Sequence, residues 1–153
     1  MIFRTSLSAV LLMALVGCGT GESIPEVVMV SGKLTMDGEP LENIKVTFMP
    51  EATEDKRDVR SSWGTTDATG KFTLTYGAPG QTIEGAAAGQ HKVVLYDMVP
   101  NDSRDVDATP DDIENESTES RIHSVYTNAS TTRLEAKVAA PGPQEINFDI
   151  KGN

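Results

Sequence analysis

From Val27 to the end of the chain, apolar and polar residues alternate in short runs. Residues 27–35 place Val28, Val30 and Leu34 on one face and Lys33 and Thr35 on the other. Residues 44–49 repeat the pattern with Ile44, Val46 and Phe48, and residues 71–76 with Phe72 and Leu74. Residues 133–138 align Leu134, Ala136 and Val138, and residues 145–150 align Ile146, Phe148 and Ile150. This period of two predicts half-buried β-strands. Residues 90–97 differ: His91, Val93 and Leu95 share one face, while Val94 and Tyr96 make the other face apolar too. Apolar residues on both sides predict a central strand. Residues 62–66, carrying Trp63, predict a short seventh strand.

Punctuation between the runs fits that reading. Asp37-Gly38 supplies the positive φ of a hairpin turn, Asp67-Ala68-Thr69-Gly70 reads as a second tight turn, and Pro141-Gly142-Pro143 as a third. Residues 51–60 mix charges of both signs and predict a solvated loop. Residues 77–89 are rich in Gly and Ala without a helical period and also predict a loop. After Val27 no stretch holds a 3.6-residue period long enough for a core helix. Short strands at near-regular spacing predict an all-β, two-sheet sandwich.

The N-terminus follows another pattern. Arg4 precedes an apolar run over residues 7–16, as in a secretory signal, and the run is too short to span a bilayer with ease. It ends in Leu15-Val16-Gly17-Cys18, which resembles the bacterial lipobox. The resemblance implies removal of residues 1–17, a diacylglycerol thioether on Cys18 and an acyl chain, such as palmitate, on its new amino group. Residues 18–26 then form a lipidated polar tether, and residues 27–153 the domain. Cys18 is the only cysteine, so the domain has none left for a disulfide. Several acyl chains anchor firmly where one binds marginally. Gly19 stands where an inner-membrane retention Asp would be, which favours the outer membrane or the periplasmic face of the envelope.

Charge narrows the partners. The net charge is −10; without Arg4 of the leader, 12 Lys and Arg face 23 Asp and Glu, or −11. Such a surface repels nucleic acid, whose binding needs cationic contacts to phosphate. Residues 97–119 hold nine carboxylates opposed by Arg104 alone. Within them Asp105, Asp107, Thr109 and Glu116 fall at offsets 1, 3, 5 and 12 of an EF-hand loop, which makes them calcium candidates. Pro110 stands where the loop needs Gly, and Asp112 where it needs an apolar residue. A solvated acidic loop is the plainer reading.

Other chemistry is sparse. His91 and His123 lack metal spacing; His91 reads as a half-buried strand residue and His123 as a surface one. Ser124 beside His123 sits in no nucleophile elbow. No cofactor motif is present. Trp63 is a candidate sugar platform, although such sites usually place two or three aromatics on one face. Tyr76, Tyr96 and Tyr126 read as core-edge residues. Lys33 and Asn147, a pair considered for an internal isopeptide bond, lie on the outward phases of their strands, which excludes it.

The run Val30-Ser31-Gly32-Lys33-Leu34, then Gly38-Glu39-Pro40-Leu41 and Ile44-Lys45-Val46-Thr47-Phe48, resembles the opening of the carboxypeptidase regulatory-like domain. Thr65-Thr66-Asp67-Ala68-Thr69-Gly70-Lys71-Phe72-Thr73-Leu74 and Gly89-Gln90-His91-Lys92-Val93-Val94-Leu95 are similar to its later motifs, with His91 where Tyr is usual. The resemblance implies a seven-stranded transthyretin-like, Ig-like β-sandwich that serves as a structural or binding accessory without peptidase activity. The resulting expectation is a non-catalytic cell-envelope lipoprotein, held to the membrane through Cys18, with a protein or polysaccharide partner. The alternatives are a carbohydrate-binding module using Trp63 and a calcium-dependent adhesion-type domain using the acidic loop.

Overall fold

The computed structural model describes residues 24–52, 59–98 and 120–152. They form an all-β body of thirteen strand segments and one 3₁₀ turn: β1 (Val27–Val28), β2 (Val30–Met36), β3 (Glu39–Pro40), β4 (Ile44–Pro50), β5 (Ser62–Thr65), β6 (Lys71–Thr73), β7 (Thr75–Ala78), β8 (Gln81–Glu84), β9 (Ala86–Ala87), β10 (Gly89–Asp97), β11 (Glu135–Val138), β12 (Gln144–Glu145) and β13 (Phe148–Ile150), with the 3₁₀ turn at Ser124–Tyr126.

Two sheets face each other in a sandwich-like arrangement. The larger is antiparallel, in the order β11-β10-β4-β5-β7-β8. The smaller is built on β2. On one side β12 and β13 run parallel to it; on the other β6 and β3 run antiparallel. A short β1–β9 ribbon extends β2 backwards. The predicted central strand, β10, is flanked on both sides, by β11 and β4.

Strand phase builds the core. Ile44, Val46 and Phe48 of β4 and Val93 and Leu95 of β10 are fully buried and pack in one cluster with Val30 and Leu34 of β2, Phe72 of β6 and Leu74. Each such side chain contributes about 1.5–3 kcal/mol when removed from water. Leu74 marks where the chain changes sheets: its N–H donates to the Val30 carbonyl at 2.9 Å, and its own carbonyl accepts from the Gly85 N–H at 2.7 Å.

Around the β7–β8 hairpin three expectations are corrected. Residues 77–89 are not a loop: they hold the end of β7, then β8 and β9. Pro79-Gly80 is the hairpin turn, with Gly80 at φ +72°, and a Pro-Gly pair between two strands is a turn signal in its own right. This hairpin encloses a satellite cluster in which Tyr76, expected at the core edge, is only 1% exposed beside Ala78 and Ala87. His91, expected to be half-buried, is also only 1% exposed; its ring lies 5.7 Å from that of Phe48, and its Nε2 is 2.8 Å from the Ala87 carbonyl oxygen.

The final run, expected as one strand, breaks between β12 and β13 because Gly32 and Ile146 nearly touch. A Cβ on Gly32 would stand 1.9 Å from the Ile146 carbonyl oxygen and 2.7 Å from Phe72 Cζ. Beside this contact the Asn147 side chain does the ladder's work, its Oδ1 accepting the Lys33 backbone N–H at 2.7 Å. Asn147 therefore bonds the β2 backbone.

Gly32→Ala forces backbone apart at this contact. The expected cost is about 3 kcal/mol or more, seen as a fall in Tm of about 10 °C or more. Gly80→Ala, where a Cβ meets nothing within 4 Å, costs only the left-handed φ, about 1–2 kcal/mol. Thermal melts of the two variants in parallel check the order; equal effects contradict it.

Candidate functional site

The outward phase of the larger sheet carries the exposed aromatics. Pairing aligns Val94, Thr47, Trp63 and Thr75 across β10, β4, β5 and β7, with Tyr96 opposite Lys45 one step further along. Trp63 is 38% exposed and Tyr96 45%. Tyr96 therefore shares a face with Trp63 and is not a core-edge residue. From strand spacing and rise, their backbones lie about 12 Å apart.

Trp63 forms the wall of an open depression of about 640 Å³ whose lining includes Arg60, Ser61, Gly77, Gln81 and Thr82. The indole lies over Gly77, where a Cβ would stand 3.0 Å from both Cζ3 and Cη2. Only glycine leaves the ring this seat. Ser61, Gln81 and Thr82 add hydroxyl and amide groups to the rim and Arg60 a cation, so the site joins a flat apolar surface to hydrogen-bonding groups. Sequence reasoning identified Trp63 but missed Gly77, Gln81 and Thr82, because it read their hairpin as a loop.

A second polar cluster lies at the far pole. The chain enters at the other pole, where the Glu26 carbonyl accepts the Ala88 N–H at 2.9 Å. The nine residues of β10 then carry it about 30 Å to Asp97. There Arg121 Nη2 donates to Asp97 Oδ1 at 2.7 Å, while Arg121 Nε and backbone N donate to Oδ2 at 3.1 and 2.9 Å. Arg121 Nη2 also donates to the Glu42 carbonyl at 2.9 Å. The bond to Asp97 holds the Arg121 pKa above its ordinary value. Asp97, the first carboxylate of the acidic run, is thus ion-paired, and the pair ties together the two ends of the segment between them.

Carboxylates also secure the turns. Asp149 Oδ1 accepts from the Thr35 hydroxyl at 2.7 Å and the Gly38 N–H at 2.9 Å. Asp37, at φ +52° in the β2–β3 turn, accepts from the Gly152 N–H and the Lys151 ammonium. Asp67 Oδ1 accepts from the hydroxyl and N–H of Thr69 and from the Lys71 N–H. Their pKa values fall below the ordinary 3.8, mainly through Thr35 for Asp149, Gly152 for Asp37 and Thr69 for Asp67. On the outer sheet face Lys92 pairs with Glu135, which raises the lysine. His123 is exposed, as expected, and its Nδ1 accepts the Val125 N–H at 3.1 Å to cap the 3₁₀ turn.

Cys18 and the calcium candidates Asp105, Asp107, Thr109 and Glu116 lie outside the described residues. Among the described residues no group of three or more His, Cys, Asp or Glu is placed to hold a metal ion, and no helix is long and apolar enough to cross a membrane. The chain matches no protein-family model, no curated protein and no solved structure.

The lowered carboxylates set an acid limit. A carboxylate whose folded pKa lies below its unfolded value of 3.8 stabilises the fold above that value, and the contribution disappears as pH falls through the folded pKa. The Tm should therefore hold near neutrality and drop below about pH 4. Asp149→Asn should lower the neutral Tm and flatten the acid drop. An unchanged acid slope in this variant contradicts the assignment.

Proposed function

We propose that this protein is a non-catalytic accessory of the bacterial cell envelope, anchored by lipid on Cys18, whose sandwich presents a binding face to a partner outside the bilayer. The observation that carries the reading is Leu15-Val16-Gly17-Cys18 at the end of the apolar run, with residues 19–26 as spacer before β1. The outer membrane or the periplasmic face fits Gly19 after the cysteine.

The resemblance to the carboxypeptidase regulatory-like domain supports an accessory role and, with it, a seven-stranded transthyretin-like plan. Several motif residues have turn and core places: Asp37 and Gly38 in one turn, Asp67 and Gly70 in another, Phe72 and Val93 in the core. Three of the described side chains that could serve catalysis have structural work. His91 lies in the core against the Ala87 carbonyl, His123 caps a turn, and Asp97 pairs with Arg121.

Intact-mass analysis of the full chain extracted from bacterial membranes tests the anchor. The expected species begins at Cys18 and carries a diacylglycerol and an N-acyl chain, and Cys18→Ser moves the protein out of the membrane fraction. A free thiol on Cys18 in native material contradicts the proposal.

A further inference from the structure

We infer that the outer face of the larger sheet, from the Trp63 depression to Tyr96, is a binding strip for a glycan chain. The inference rests on the accessory reading above and names its ligand.

Four observations point to this chemistry. Trp63 is half-exposed and seated on the Gly77 backbone, which presents a flat, fixed apolar surface. Sugar rings carry an apolar C–H face that packs on such a surface while their hydroxyls seek hydrogen bonds at the edge. Ser61, Gln81 and Thr82 provide neutral donors and acceptors at that edge. Tyr96 repeats the exposed aromatic on the same face, at about 12 Å by the sheet's spacing, the reach of a short oligosaccharide and too far for one ring; between them Val94 is fully buried and Thr47 Oγ1 is covered, so the two rings are separate footholds. The depression is open, which suits a polymer passing across it better than a small molecule that needs enclosure.

Charge agrees. Lys45, Lys92 and Lys137 face outward on this sheet against Glu84 and Glu135. The whole chain has the reverse balance, 13 cations against 23 carboxylates. A uronate-bearing chain is therefore not repelled from this face as it would be elsewhere. A protein partner fits less well: stable protein interfaces bury about 800 Å² per side around an apolar centre, whereas Lys45, Thr65 and Thr75 interrupt the aromatics here.

The chain's single tryptophan reports on its own site. The full-length lipidated protein, held in detergent micelles, is screened on an array of neutral and uronate oligosaccharides, and its hits are titrated by calorimetry and Trp63 fluorescence. At least one glycan should bind with a Kd of about 10 μM to 1 mM, shift the Trp63 emission and protect it from acrylamide. Trp63→Ala should weaken binding about tenfold or more. Gly77→Ala should weaken it by pushing the ring off its seat. Tyr96→Ala should weaken a hexasaccharide several-fold and leave a disaccharide unchanged. Gln81→Ala, on an exposed hairpin, keeps the test sound if Trp63→Ala disturbs folding. No hit on the array, or undiminished binding by natively folded Trp63→Ala, overturns the inference. Intact mass separates the two readings: a lipidated protein that binds no glycan overturns only the strip, and an unlipidated one that binds overturns only the anchor.

Discussion

The β4–β10 ladder fixes which side of the larger sheet is dry, and the rest of the molecule follows from that choice. The two strands pair from His91 opposite Pro50 to Asp97 opposite Ile44. In this register Ile44, Val46, Phe48, Val93 and Leu95 share the inner face, all fully buried. A slip of one residue by either strand would turn that strand's buried side chains out: Ile44, Val46 and Phe48 of β4, or Val93 and Leu95 of β10, with Lys45 and Thr47, or Lys92, taking their place. The lost burial, at about 1.5–3 kcal/mol for each large side chain, is comparable to the whole stability of an ordinary domain. Trp63 faces outward because β5 pairs with β4 and Trp63 stands opposite Thr47. The core and the candidate binding face are thus two outcomes of one register.

The smaller sheet closes the core by a less regular route. β2 meets four strands in seven residues. Gly32 has no side chain because the Ile146 carbonyl occupies that space, and Asn147 restores a hydrogen bond to the Lys33 N–H. The Asp149 and Asp37 bonds then fasten the C-terminal end to the β2–β3 turn. Arg121 and Asp97 make a similar fastening at the same pole.

Much of the fold was legible in the alternation. β2 and β4 read directly, because each buries one phase and half-exposes the other, and β10 read as central because Val94 on its second phase is buried too. The β7–β8 hairpin did not, because its strands are short and carry Gly, Ala, Thr and Gln, residues without a hydrophobic period. Pro79-Gly80 was the signal available there. The break between β12 and β13 was invisible because it depends on the approach of Gly32, more than a hundred residues earlier in the chain. Trp63 was legible as a lone aromatic. Its sharing a face with Tyr96 was not, since that depends on β10 and β5, five strands apart in sequence order, both pairing with β4. His91 looked half-buried because imidazole is polar, and only the packing against Phe48 places it inside.

The most direct test of this register is the solvent access of the single tryptophan in the ligand-free protein, read as acrylamide quenching of its fluorescence against free indole. An outward Trp63, 38% exposed, predicts a clearly quenchable, partly red-shifted emission that rises only modestly towards the free-indole limit on unfolding. A blue emission that resists quencher until the protein unfolds would place Trp63 in the core, invert the faces of the sheet and contradict the account.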